Sequence, residues 1–166
     1  MTKTIFLTFM LCSFVFGAHQ GIFQSVPKKD AVILQKGDQK ESCPACGMNL
    51  FQFYKTSHAV KLKDGTYRQY CSLYCLVDEM TFEYLSDKQD QIEEIIVVDA
   101  KTTKQLDAKK AFYIIGSKMP GTMSIQSKYA FKEKSDALEF QKKYSGKLMS
   151  FDEAFKATLK HDFGRD

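Results

Sequence analysis

Four of the chain's five cysteines fall between residues 41 and 75, in "ESCPACGMNLFQFYKTSHAVKLKDGTYRQYCSLYC". They form a C-x2-C pair, Cys43 and Cys46, and a C-x3-C pair, Cys71 and Cys75. No other feature constrains the fold as strongly. A knuckle turned on Gly47 aims the first pair at one point, because glycine relieves the strain of the reversal. The second pair brackets Ser72, a good helix N-cap, so Cys71 precedes a helix and Cys75 lies on its first turn. Between the pairs, "HAVKL" and "TYRQY" flank "KDG", and Asp64-Gly65 is a strong hairpin turn. The order is knuckle, hairpin, helix, and folding the hairpin brings four thiols together.

The first twenty residues differ from the rest. Lys3 precedes a nearly unbroken apolar run over residues 5–16, closed by the small residues Gly17 and Ala18. That is the pattern of a secretory signal peptide over residues 1–18, the run being too short for a membrane span. "FMLC" lacks the small residue that precedes a lipidated cysteine, which argues against an anchor at Cys12. The expected product is an exported, periplasmic chain whose Cys12 leaves with the signal. An arm over residues 19–40 would precede a domain over residues 41–166. The net charge of +4 comes from 24 basic residues scattered among 20 acidic ones, so there is no basic stripe and no nucleic-acid partner is expected. No phosphate loop, nucleophile with base, or paired acids of clear role is visible, which argues against an enzyme with a small-molecule substrate.

Further along, residues 31–37, "AVILQKG", read as a strand ending in a turn. Leu73, Leu76, Val77, Met80 and Tyr84 recur at helical spacing. Strands are expected at "EEIIVVDA", at "AFYIIG" and over residues 125–131, with "SKMPGTMS" as the loop before the last of these. Ser135 would cap a helix through Tyr144 that Gly146 stops. "KLM" is a short strand, and Ser150 with Glu153 makes a capping box for a final helix carrying Phe155 and Leu159 inward. Hairpin then helix occurs twice, around residues 58–85 and 112–145. The fold expected is α+β: two small strand-hairpin/helix modules, about 41–99 and 100–166, with mainly antiparallel sheet and helices packed on one face.

The thiols admit several chemistries. Two disulfides suit an exported chain with four remaining cysteines. Four thiolates around Zn²⁺ suit the order knuckle, hairpin, helix. Cu(I) prefers thiolate and thioether ligands, and Met48 lies two residues after Cys46, while Met119 and Met123 bracket the Pro-Gly turn of the later loop. Met80 and Met149 read as core. A helix N-terminus lowers the pKa of cysteines beside it, which would favour thiolate at Cys71 and Cys75. His58 is either a metal ligand or a hydrogen-bonded structural histidine, and His161 has no companion group. Tyr54, Tyr67, Tyr70 and Tyr74 crowd the segment as walls. A thioredoxin-like redox enzyme fits worst, because "CPACGMNLFQFY" leads into strand-like sequence rather than a helix.

"CPACGM", the hairpin and "YCSLYC" resemble the NosL family, exported copper-binding accessory proteins of nitrous oxide reductase maturation. The likeness continues through "VVDAKTTKQLDAKKAFYIIGSKMPGTMSIQSKYAFKEKSDALEFQKKYSGKLMSFDEAF", so it covers roughly residues 30–156. The resemblance implies a periplasmic Cu(I) chaperone that hands copper to an ABC-type membrane complex and on to the apo-reductase. It also implies Cys46, Met48 and Met119 as leading ligands, with Cys43, Cys71, Cys75, Met123 and His58 behind them. Family members are commonly lipoproteins, whereas this chain shows no convincing lipobox, and its second cysteine pair resembles small treble-clef metal modules.

Overall fold

A computed structural model of the protein describes residues 22–165, so the expected signal peptide lies outside the described residues. Among the described residues, seven strands and three α-helices occur in the order β1 (His58–Leu62), β2 (Tyr67–Tyr70), α1 (Leu73–Thr81), β3 (Ile92–Val98), β4 (Gln105–Asp107), β5 (Phe112–Ile115), β6 (Lys128–Phe131), α2 (Lys134–Tyr144), β7 (Lys147–Met149) and α3 (Phe151–Phe163). The first sheet has the order β2-β1-β3-β4 and the second β6-β5-β7, with every named pairing antiparallel. This is the α+β architecture expected from the alternation of hairpins and helices.

The β1–β2 hairpin closes through Asp64, whose carboxylate accepts from the Thr66 amide at 2.8 Å and the Thr66 hydroxyl at 2.7 Å. Gly65, at φ +81°, supplies the left-handed residue the turn needs. His58 pairs with Tyr70 on one side and Val97 on the other, which makes β1 the strand through which knuckle, hairpin and β3 are aligned.

Alternation along β5 divides the core. Tyr113 and Ile115 join Val60, Leu73, Leu76, Val97 and Phe151 in the larger cluster. Ile114 instead joins Tyr129, Phe131, Ala137 and Phe140 in a smaller one. The second sheet therefore carries α2 on one face, while its other face shares a core with α3 and the first module. All four residues of β6 are buried, the pattern of a strand covered on both faces. Asp99, 1 % exposed, fastens the two sheets. One carboxylate oxygen accepts from the Lys101 and Thr102 amides and the other from Lys132, while the Ala100 amide donates to the Ala130 carbonyl at 2.8 Å.

Several expected elements differ. Residues 31–37 form no strand. Glutamine side chains replace the ladder there, the Leu34 amide donating to Gln69 Oε1 and the Gln69 amide to Gln35 Oε1. Strand β6 starts at Lys128 rather than Ile125, which is fully exposed. Helix α2 begins after Glu133 without a side-chain cap, so Ser135 lies inside the helix. Its C-terminus is turned by Ser145 at φ +64° followed by Gly146 at φ +100°. The α1 helix stops at Thr81, leaving Tyr84 exposed. Strand β4 has no counterpart in the expected list, and it extends the first sheet past the module boundary near residue 100. The Ser150–Glu153 capping box is present in full.

Candidate metal centre

The knuckle is a tight reversal. The Cys43 amide donates to the Met48 carbonyl and the Gly47 amide to the Cys43 carbonyl, both at 2.8 Å. Gly47 at φ +76° makes that turn possible. The reversal projects Cys43 and Cys46 to one side. Across from it, Ser72 caps α1 by accepting from the Cys75 amide at 3.3 Å, which sets Cys71 just before the helix and Cys75 on its first turn. The four sulfur atoms all lie within 4.8 Å of one another. Cys46 and Cys71 are 3.5 Å apart and Cys71 and Cys75 3.7 Å apart. All four are free thiols; Cys43, Cys71 and Cys75 are buried and Cys46 is half-buried.

The protonation pattern differs from the expectation that the helix start lowers the pKa of Cys71 and Cys75. Hydrogen bonds from Cys71 and Cys75 pull Cys43 far below the usual thiol range. The same interactions with Cys43 push Cys71 and Cys75 up, burial adding to the effect. Burial also raises Cys46. The reason is local: four thiols this close cannot all ionise without a cation, so one thiolate is shared and the helix N-terminus is outweighed. A divalent or soft monovalent cation removes that restriction, because a bound metal deprotonates its thiols outright. A tetrahedral thiolate site with metal–sulfur bonds near 2.3 Å has sulfur–sulfur separations of about 3.8 Å. The thiols already stand close to that arrangement. Soft donors and a sulfur-only first shell suit Zn²⁺ or Cu(I) and not the hard cations.

The other expected ligands are distributed differently. Met48 packs, partly buried, against the same core cluster that contains Cys43, Cys71 and Cys75. Met119 packs against the second cluster, with Ile114 and Tyr129. Met123 is 41 % exposed and holds a left-handed backbone at φ +59°. His58 lies outside the sulfur group: Nδ1 is 3.0 Å from the Thr56 carbonyl and Nε2 is 3.1 Å from the Tyr113 hydroxyl. Since a carbonyl only accepts, Nδ1 carries the proton and Tyr113 donates to Nε2. Complete burial lowers His58 to about 4, so it is a neutral strut between the sheets. Tyr54 and Tyr70 are fully buried walls.

Some contacts escape sequence reasoning. The methionine loop is tied to the cysteines through Thr56, whose hydroxyl donates to the Cys71 carbonyl at 2.8 Å and meets the Thr122 hydroxyl at 2.9 Å. Pro120 is held at its carbonyl by Tyr129 and by Gln24. Downstream, buried Lys128 is ion-paired with Asp162 of α3 at 2.7 Å and donates to Ser124, which itself donates to Asp162. His161, set aside for want of a companion, stands 2.8 Å from the same carboxylate. Lone threonines and a lysine 34 residues from its partner carry no motif, so only the charge of Lys128 in an otherwise apolar strand hints at a buried pair.

Comparison with known proteins gives a consistent answer. No match is found among curated proteins. The crystal structure of the copper chaperone NosL from Shewanella denitrificans is similar to this chain, with a TM-score of 0.55 and 25 % sequence identity. The alignment covers 72 % of this chain and 92 % of that one. The NosL family model matches residues 35–159, which takes in both cysteine pairs, the methionine loop and all seven strands. With three quarters of its length matched end to end, the chain belongs to the NosL family.

Proposed function

We propose that the protein is a copper chaperone that binds Cu(I) and passes it on, without catalysing a reaction. The observation that carries this reading is the gathering of four free thiols within 4.8 Å in a NosL-family chain whose structural neighbour is a copper chaperone. The seat we assign comprises Cys43, Cys46, Cys71 and Cys75 with Met48 beside them. Cys46 is the accessible member, and a partner's ligand enters there, so that copper moves by exchange of one sulfur at a time. Met123, exposed on its pinned loop, is assigned as an auxiliary soft donor; Met119 and His58 are assigned to packing.

The resemblance in sequence supports a fuller role: export to the periplasm, docking on an ABC-type membrane complex, and delivery of copper to apo-nitrous oxide reductase. A second reading has a specific observation behind it. Three of the four thiols are buried, and their spacing suits a closed tetrahedral Zn²⁺ site that stabilises the module. Competition separates the two. Reduced protein lacking residues 1–18 is loaded with Zn²⁺ and titrated with Cu(I) against a colorimetric Cu(I) chelator under nitrogen. Stoichiometric displacement of zinc, followed by copper transfer to an apo-acceptor, supports the chaperone. Zinc retained against excess Cu(I) would reject it.

A further inference from the structure

The four thiols differ in access, and that difference carries a second property of the same seat. Cys46 is half-buried, whereas Cys43, Cys71 and Cys75 are buried. A soluble disulfide can therefore reach the cluster only at Cys46. Cys71 Sγ lies 3.5 Å from Cys46 Sγ. A disulfide needs that gap closed to about 2.05 Å. The knuckle can supply the movement, because the space around Gly47 is open, with nothing within 4 Å of the position a Cβ would take. Cys71 and Cys75 are also close, at 3.7 Å, but joining them would act on a capped helix start within the core and offers no entry point for an oxidant.

We propose that Cys46 and Cys71 form a reversible disulfide that closes the metal seat, so that metal loading is gated by the thiol redox state of the compartment. The inference rests on the soft-metal reading above. In the forward step Cys46 passes its proton to the cluster's shared thiolate and attacks a disulfide RSSR, forming a Cys46–SR mixed disulfide and releasing one RS⁻. Cys71, its proton taken up by the cluster in the same way, then attacks Cys46 Sγ, the S–SR bond breaks and the second RS⁻ leaves. Two protein thiols are oxidised, one RSSR is reduced to two RSH, and the two protons lost by the cysteines end on the leaving thiols. The product keeps only Cys43 and Cys75 as thiolate donors, half the original set. Reduction by a dithiol runs the same steps backwards and restores four.

The test begins with the metal-free, reduced chain lacking residues 1–18, and with oxidised glutathione as the probe. Peptide mapping is expected to find Cys46 linked to Cys71, with two thiols remaining and Cu(I) affinity lowered at least tenfold, restored by dithiothreitol. Cys71→Ser is expected to accumulate a mixed disulfide with glutathione at Cys46, and Cys46→Ser to resist oxidation. A first disulfide at another pair, four thiols surviving excess oxidised glutathione, or a mapped Cys46–Cys71 bond with undiminished affinity for Cu(I) and Zn²⁺ would each overturn the proposal. Connectivity is read without metal, so a reduced protein that forms the bond yet binds no copper defeats the chaperone reading instead. Far-ultraviolet circular dichroism of each variant separates loss of reactivity from loss of fold.

Discussion

His58 sets a measurable pH dependence on the stability of the apo-protein. Its imidazole is completely buried and neutral, donating from Nδ1 to the Thr56 carbonyl and accepting the Tyr113 hydroxyl proton at Nε2. Protonation would place two donors there and leave the Tyr113 proton without its acceptor. The native state therefore takes up the proton only at about 4, against 6.5 for the free side chain. Between these values the unfolded chain binds more protons, so stability rises with pH through this window. The contribution is complete above pH 6.5 and is lost progressively as pH falls towards 4. At about 1.4 kcal/mol per pH unit, the loss is about 3 kcal/mol. Asp162 does not confuse the measurement. Burial pushes it up, but Lys128, His161 and Ser124 together hold it below its ordinary 3.8, so its contribution disappears at lower pH. The assay is urea unfolding of reduced, metal-free protein at several values between pH 7 and 4.5, compared with His58→Gln. The variant is expected to lose about 1–3 kcal/mol at pH 7, because a buried partner is left poorly satisfied. Its stability should then fall less steeply with acid than the parent's. Equal slopes in the two proteins would refute the neutral, buried histidine.

Three further outcomes follow from the same contacts. Lys128→Met leaves the Asp162 carboxylate buried without its cation and should cost about 3–5 kcal/mol, seen as a fall in Tm on the order of 10 °C; Lys128→Met with Asp162→Leu should recover most of it. Gly146→Ala should destabilise by more than about 1 kcal/mol in chemical unfolding, since φ is +100° and the new Cβ would lie 2.7 Å from Ile114 Cγ2. Met48→Leu should weaken Cu(I) binding in a chelator competition, whereas Met119→Leu, a volume-conserving change in the second core cluster, should leave affinity unchanged and cost under about 1.5 kcal/mol.

Local signals were readable wherever one residue does the work of a turn or cap. Asp64-Gly65, Ser72, Gly47 and the Ser150–Glu153 box each act within four residues, so spacing alone places them. The cysteine cluster was legible for a similar reason, because a knuckle, a tight hairpin and a capped helix leave the two thiol pairs little freedom but to meet. What escaped depends on distant partners. Residues 31–37 have the apolar content of a strand, but Gln35 and Gln69 intercept the backbone groups that a ladder would use. The pKa order of the thiols follows from their mutual approach rather than from the helix start each adjoins. His58 read equally as ligand or strut until the Tyr113 hydroxyl, 55 residues away, was placed against Nε2. The methionine loop looked like one soft-donor unit in sequence. In the fold, Met119 turns to the second core while Met123 faces solvent.

The copper X-ray absorption spectrum of the reduced protein carrying one Cu(I) per chain reads the ligands of the seat themselves. Copper is expected to be surrounded by sulfur alone, unchanged in His58→Gln and reduced in sulfur number in Cys46→Ser. A spectrum with imidazole or oxygen ligands, or one unaffected by replacing Cys46, would contradict a copper seat built from the four thiols.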